Sequence, residues 1–143
     1  MLQFNTMPGH LVRRAHQVAT AIFVEQMTKE GLDITPFQFA ALSAIQMQPG
    51  LDQATAAAWT ACDRATMGGV LDRLVEKGLV LRQISDKDRR ARVLHLTDSG
   101  RAILQKAETV ALAIQDSLTQ GLNPQERDIL VDLLQRVCDN HPK

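Results

Sequence analysis

The stretch from Asp63 to Arg101, DRATMGGVLDRLVEKGLVLRQISDKDRRARVLHLTDSGR, constrains the fold of this chain more than any other. Asp63 is placed to accept from the first free amides of a helix, and Met67, Val70, Leu71 and Leu74 recur at helical spacing. Gly78 stands where a left-handed residue ends such a helix, so the pattern predicts a helix over about 64–77. VLRQI and RVLHLT follow, rich in β-branched or large apolar residues, and the SDKDRRA between them is too charged to bury. The expected product is a two-stranded hairpin with a basic tip, directly after a helix.

The charge of that tip is informative where the total is not. Lys and Arg number 16, as do Asp and Glu, yet Thr60 to Arg92 holds eight bases against five acids. This segment therefore carries +3 and the remainder −3. A basic lobe on an otherwise acidic chain is the footprint of a surface that meets phosphate. A charged hairpin taken alone is usually just a solvated loop. Next to a helix of this kind it gains meaning, because a helix can enter the major groove of DNA while an arginine finger reaches the minor groove.

A chain of 143 residues can bury one core, and 45% apolar with 22% charged residues is ordinary for a globular protein. Aromatic residues are scarce at 3% while Ala and Leu abound, which leans helical. No apolar run approaches the roughly 18 residues of a membrane span, and MLQFNTMPGH lacks the basic start and apolar core of a signal peptide. A cytoplasmic location with no membrane partner is expected. Cys62 and Cys138 are far apart and show no CxxC or Cys/His spacing, so neither a disulfide scaffold nor a zinc site is expected, and no cofactor is called for.

Start and stop signals divide the rest of the chain. Leu11, Ala15, Val18, Ala19, Ile22 and Phe23 form a helical stripe between His10 and about Lys29, ending near Gly31. Thr35 as cap, Pro36 in the first turn, Gln38 closing a capping box and Pro49-Gly50 as the stop define a second helix. Asp52 caps the alanine-rich QATAAAWTA, and Ala61 to Asp63 makes a tight turn into the Asp63 helix, which together read as a helix-turn-helix. Thr97 caps a long helix to about Gln120, and Asn123, Pro124 and Glu126 open a last one bearing Ile129, Leu130, Leu133, Leu134 and Val137. Terminal helices more apolar than a small lobe can cover predict pairing with another subunit.

GLVLRQISDKDRRARVLHLTDSGR, preceded by DRATMGGVLDRLVEK, resembles the wing and recognition helix of the MarR family of winged-helix regulators. The family pattern is a DRR or DxR wing, an LT pair and a small-residue glycine near the next helix. TPFQFAALSAI and LNPQERDILVDLLQRV extend the resemblance over nearly the full chain. It implies a mainly α fold with a small β-wing in one domain over 1–143, with a winged helix-turn-helix lobe over about 35–97 and dimerisation helices over about 10–30 and 98–139. It also implies an obligate homodimer that binds palindromic double-stranded DNA and represses transcription. In many members a small phenolic or aromatic acid releases the DNA. DRATMGGVLDRL is most similar to members controlling breakdown of aromatic or N-heteroaromatic acids.

Carried over by position, the resemblance makes Arg90, six residues before Leu96, the minor-groove arginine and Asp88 the acid that steadies its loop. Arg89 and Arg92 become auxiliary phosphate contacts. On the recognition helix a wheel turns Met67, Val70, Leu71 and Leu74 inward, leaving Arg64, Thr66 and Arg73 as contacts and Ala65, Gly68 and Gly69 at the closest approach. Many relatives carry a larger polar residue where the two glycines stand. Each glycine costs about 1 kcal/mol relative to alanine in a helix, so either DNA comes close or the alanine-rich third helix packs tightly there. The lack of large donors shifts specificity toward Arg73, the wing and DNA shape.

A carboxylate ligand needs a positive donor at the rim of an apolar pocket. Arg14 lies at the border of the first helix's stripe, His10 lies one turn earlier on the same edge, and Arg13 points outward. In relatives that sense aromatic acids a basic residue of this helix meets the acid group, so Arg14 and His10 are the expected ligand contacts, with Phe39 or Trp59 lining the pocket. An ion pair across the dimer is the competing role for Arg14. Cys62, just before the recognition helix and near Arg64, offers a thiol-based switch as the alternative regulatory route. No HExxH, nucleophile elbow or phosphate-cradling loop supports an enzyme. A winged helix that binds protein rather than DNA is the remaining alternative.

Overall fold

The structure, a computed structural model, describes Met1 and residues 3–142. A single 3-10 turn at Phe4–Thr6 leads into α1 (Pro8–Lys29), α2 (Pro36–Met47), β1 (Leu51–Asp52), α3 (Gln53–Trp59) and α4 (Arg64–Glu76). The hairpin strands β2 (Val80–Ile84) and β3 (Arg92–Leu96) follow, then α5 (Asp98–Leu118) and α6 (Pro124–Asp139). The helix starts form as their residues dictate. Thr35 and Gln38 close their capping box with reciprocal bonds of 3.1 and 3.2 Å, and Asn123 and Glu126 close theirs at 2.8 and 2.9 Å. Asp52, Asp63 and Thr97 accept the amides of Thr55, Thr66 and Gly100, each cap contributing about 1 kcal/mol.

The expected two-stranded hairpin is one part of a three-stranded antiparallel sheet with order β1-β3-β2. Leu51 pairs with Leu94 and Asp52 with Val93, while Val80 to Ile84 pairs with Leu96 to Arg92. A two-residue strand shows no alternation and is invisible to pattern reading. It exists because Leu51 is buried beside Leu94 after the Pro49-Gly50 turn. The turn from α3 into α4 is as tight as expected, with Ala61 in the left-handed region at φ 53°.

One core joins the elements. Met67, Leu71 and Leu74 of α4 are fully buried against Leu42 and Ile45 of α2, Leu51, Leu94 and Leu104. The expected inward face of α4 is thus correct, with Val70 at its half-buried edge. α5 departs from a pure dimerisation role, since Leu104, Ala107, Ala111 and Ile114 are buried in this same core. The termini differ from the rest. α1 buries only Phe23 and Met27, leaving Leu11, Val12, Val18 and Val24 exposed, and α6 buries no residue at all. α6 is tied to α5 by the Arg127–Asp116 ion pair at 2.6 Å. Among the described residues no helix is long and apolar enough to cross a membrane.

Candidate nucleic-acid interface

α4 presents its N-terminus to solvent through the Asp63 cap. Asp63 Oδ1 accepts the Thr66 amide at 2.8 Å and Oδ2 accepts the Thr66 hydroxyl at 2.7 Å. Those bonds, the backbone one first, hold the Asp63 carboxyl below its ordinary value. They also commit the Thr66 proton, so Thr66 offers lone pairs, not a donor, to anything approaching α4. Arg64, Ala65 and Gly69 are exposed on the same outer face. Arg73 is exposed one turn before the end of α4, and its 3.8 Å pairing with Glu76 is between two solvated side chains, which contributes little.

The wing is a closed turn. Ser85 N–H donates to the Ala91 carbonyl at 3.1 Å, and Ala91 N–H donates to the Asp88 carbonyl at 2.9 Å. The Ser85 hydroxyl accepts the amides of Lys87 and Asp88 at 3.2 and 3.3 Å. Asp88 Oδ1 accepts the Arg90 amide at 3.0 Å and lies 3.6 Å from Arg90 Nε. Asp88 has the geometry expected of a residue that steadies the loop. Ser85 was missed; a serine opening an Asp-rich turn is the signal that could have found it. Arg90 itself stands 95% exposed, a guanidinium held out at its backbone and free at its tip.

Arg64, Arg90 and Arg92 meet in one cleft of about 440 Å³ between the start of α4 and the wing, with Gln53 and Ala54 of α3 on its third side. The two acids beside them are already engaged, Asp52 with Thr55 and Asp88 with Arg90. Three cations against two carboxylates leave one net positive charge around the opening, which favours an anion. Arg92 also bends back to the Arg89 carbonyl at 3.3 Å. Arg89 lines a different recess, with Ile84, Ser85 and Asp86. Two cations of the basic segment turn inward. Lys77 donates to the Asp33 carbonyl and to Gln38 Oε1 at 3.1 Å, and Arg82 pairs with Asp72 at 2.6 Å.

The two glycines of α4 do not serve packing on α3. A Cβ at Gly69 would meet nothing within 4 Å, and one at Gly68 would meet only Gln53 Nε2 at 3.5 Å, an ordinary contact. Packing on α3 therefore requires neither glycine. Gly69→Ala is expected to stabilise the fold by about 1 kcal/mol through helix propensity while weakening DNA binding. A thermal melt and an operator titration on the same sample check both signs.

The expected ligand residues do not converge within one chain. His10 stacks edge-on against Phe4 at 5.1 Å, and its Nδ1 lies 3.3 Å from Nη2 of Arg13, which is exposed as expected. Arg14 is exposed on α1. Phe39, half-buried, packs at 5.9 Å from Phe23, and Trp59 is half exposed at the end of α3. α1 meets α2 at the Phe23–Phe39 contact, more than two helical turns beyond Arg14, so any pocket uniting the four residues needs a further wall. Cys62 is 7% exposed at the turn into α4, which shields the thiol from the oxidant that a redox switch requires. Among the described residues no group of His, Cys, Asp or Glu is placed to hold a metal ion.

A helix-turn-helix, a recognition helix ending in an antiparallel wing and a basic cleft between them define a winged-helix DNA-binding regulator. Comparison with known proteins agrees. The sequence model of the MarR family matches residues 31–91. The transcriptional repressor NicR of Pseudomonas putida is 36% identical over 132 residues, covering 92% of this chain and 82% of that protein. The chain belongs to the MarR family. Its structure resembles that of Bordetella bronchiseptica BpsR, whose DNA binding is regulated by 6-hydroxynicotinic acid, with TM-score 0.89, 34% identity and 96% of each chain covered. It also resembles the transcriptional repressor CouR bound to a 23-mer DNA duplex, with TM-score 0.85, 30% identity and 96% and 98% of the two chains covered.

Proposed function

We propose that the chain acts in the cytoplasm as a homodimeric repressor that holds a palindromic operator through α4 and the wing and releases it when a small aromatic acid binds. The observation that carries the DNA-binding part is the cleft shared by Arg64, Arg90 and Arg92. In this reading α4 lies in the major groove with Arg64, Ala65, Thr66 and Arg73 facing it, Gly68 and Gly69 allow the closest approach, and Arg90 enters the minor groove. Arg89 and Arg92 contact phosphates, and Asp88 holds the loop.

The dimer is supported by what one chain leaves in water. Ile129, Leu130, Leu133, Leu134 and Val137 of α6 are all more than a third exposed, as are Leu11 and Val18 of α1. Each such side chain gains about 1.5–3 kcal/mol when fully buried, so pairing these faces with their copies stabilises the assembly by several kcal/mol. Two-fold symmetry then places half-sites about 10 base pairs apart or a multiple of that. The effector reading draws support from BpsR and from Arg14, a free cation at the rim of the uncovered α1 face. A second subunit would supply the missing wall of a pocket with Arg14 and His10 at its polar end and Phe39 or Trp59 in its lining.

The test is footprinting on DNA upstream of the chain's own gene, alone and with a panel that includes benzoate and 6-hydroxynicotinate. A symmetric footprint lost with at least one aromatic acid is expected, and Arg14→Ala is expected to keep the footprint and lose the release. A footprint indifferent to every acid would reject the effector reading. No footprint in dilute buffer would reject the operator reading.

A further inference from the structure

Arg82 belongs to the basic segment yet does not face the basic cleft. Its side chain is only 26% exposed and lies where three elements meet. One Nη2–H donates to Asp72 Oδ1 of α4 at 2.6 Å, and Nη1 lies 3.5 Å from Oε1 of Gln53, the first residue of α3. Arg82 sits on β2, the edge strand that carries the wing away from the core. The strand is pinned at its base, where Leu79 and Val80 are buried and Leu79 N–H donates to the Leu74 carbonyl at 3.0 Å. The β2–β3 ladder from Val80–Leu96 to Ile84–Arg92 makes the hairpin one piece, and a side-chain link from β2 to α4 fixes the direction of that piece against the recognition helix. Beyond Arg82 the strand is Gln83 and Ile84, both exposed, so Arg82 is the last link between the wing and the recognition helix.

We infer that Arg82 is a positioning residue that sets the angle between wing and recognition helix, so that Arg90 and α4 fit the grooves of the operator together. The inference rests on the reading of α4 and Arg90 as the DNA contacts. A guanidinium suits this task because its planar fork reaches two partners in fixed directions, which a lysine ammonium does not. Asp72 is well exposed, so the ion pair contributes little to global stability. Its effect is geometric. A binding site held by several elements loses affinity when one of them loosens by a fraction of an ångström.

The test compares Arg82→Met, Arg82→Lys, Asp72→Ala and the Arg82→Met/Asp72→Ala double variant with Arg90→Ala, by operator titration over a range of salt and by thermal melting. Arg82→Met is expected to weaken operator binding about tenfold, equivalent to about 1.4 kcal/mol. Its salt slope should stay at the wild-type value because Arg82 neutralises no phosphate. Asp72→Ala should match that loss, the double variant should lose no more than either single one, and Arg82→Lys should not restore binding. Binding to unrelated duplexes should be unchanged in the Arg82 and Asp72 variants. Wild-type operator affinity in Arg82→Met, additive losses, rescue by lysine, or a salt slope lowered by about one would each overturn the inference. So would a loss that merely follows the folded fraction. If Arg90→Ala binds like wild type, the wing reading itself fails, and that outcome is separate from a failure of Arg82 alone.

Discussion

Arg90→Ala is expected to weaken operator binding about 10- to 100-fold, about 1.4–3 kcal/mol, and to flatten its salt dependence by about one ion per subunit. The size follows from exposure and preparation. The Arg90 backbone is fixed by its bond to Asp88 while the guanidinium remains 95% exposed, so little ordering remains when it enters a groove. A narrow minor groove concentrates negative potential on such a finger. Arg89→Ala, outside the cleft shared by Arg64, Arg90 and Arg92, should cost less. Titration at several salt concentrations checks the prediction, and unchanged affinity at all of them would remove the wing from the interface. Asp88→Ala should give a partial version of the loss, since it frees the loop but leaves the cation.

Gly100→Ala is expected to lower stability by about 2 kcal/mol net, although alanine is the better helix former by about 1 kcal/mol. A Cβ at Gly100 would lie 2.1 Å from the Leu79 carbonyl oxygen and 3.0 Å from its carbon. Those are backbone atoms of the turn between α4 and β2, and they cannot rotate aside. The approach is enforced from both sides, because Thr97 N–H donates to the Leu79 carbonyl at 3.1 Å and the Thr97 hydroxyl donates to the Gly78 carbonyl at 2.7 Å. α5 is thereby seated on the root of the wing. For a chain of this size the loss corresponds to a midpoint lower by roughly 6 °C at fixed protein concentration. A melt that rises instead would show that α5 has room to move. The same substitution at Gly69 has the opposite expected sign, which separates a glycine kept by packing from one that packing does not require.

This contrast also marks how far residue patterns reach. The LT pair and the glycine three residues on were legible as a family pattern. That Thr97 binds the α4–β2 turn, and that Gly100 is the residue its backbone excludes a side chain from, required the crossing of two segments about twenty residues apart. Likewise the charge of Lys77 and Arg82 was counted with the basic face, while folding turned them toward Asp33, Gln38 and Asp72. A side chain's charge is local, but its partners are chosen by tertiary neighbours.

For the same reason the ligand residues could not be brought together from their positions in the chain. A helical wheel ranks His10, Arg13 and Arg14 by angle about α1, yet which of them meets which group depends on Phe4 before the helix and on whatever covers its open face. Phe39, half-buried beside Phe23, meets α1 through a contact that its own neighbours in sequence do not announce.

What the chain determined without help was its set of helices, their caps, the inward face of α4 and the exposed basic tip. Those properties are set by residues within a few positions of one another, where hydrogen-bond geometry and the 3.6-residue period act directly. What only the tertiary structure decided was the third strand, the sharing of α5 with the core, the gathering of Arg64, Arg90 and Arg92 around one cleft, and the tether of the wing at Arg82. Each depends on segments distant in sequence being brought within bonding distance, and burial of a common core is the force that brings them there.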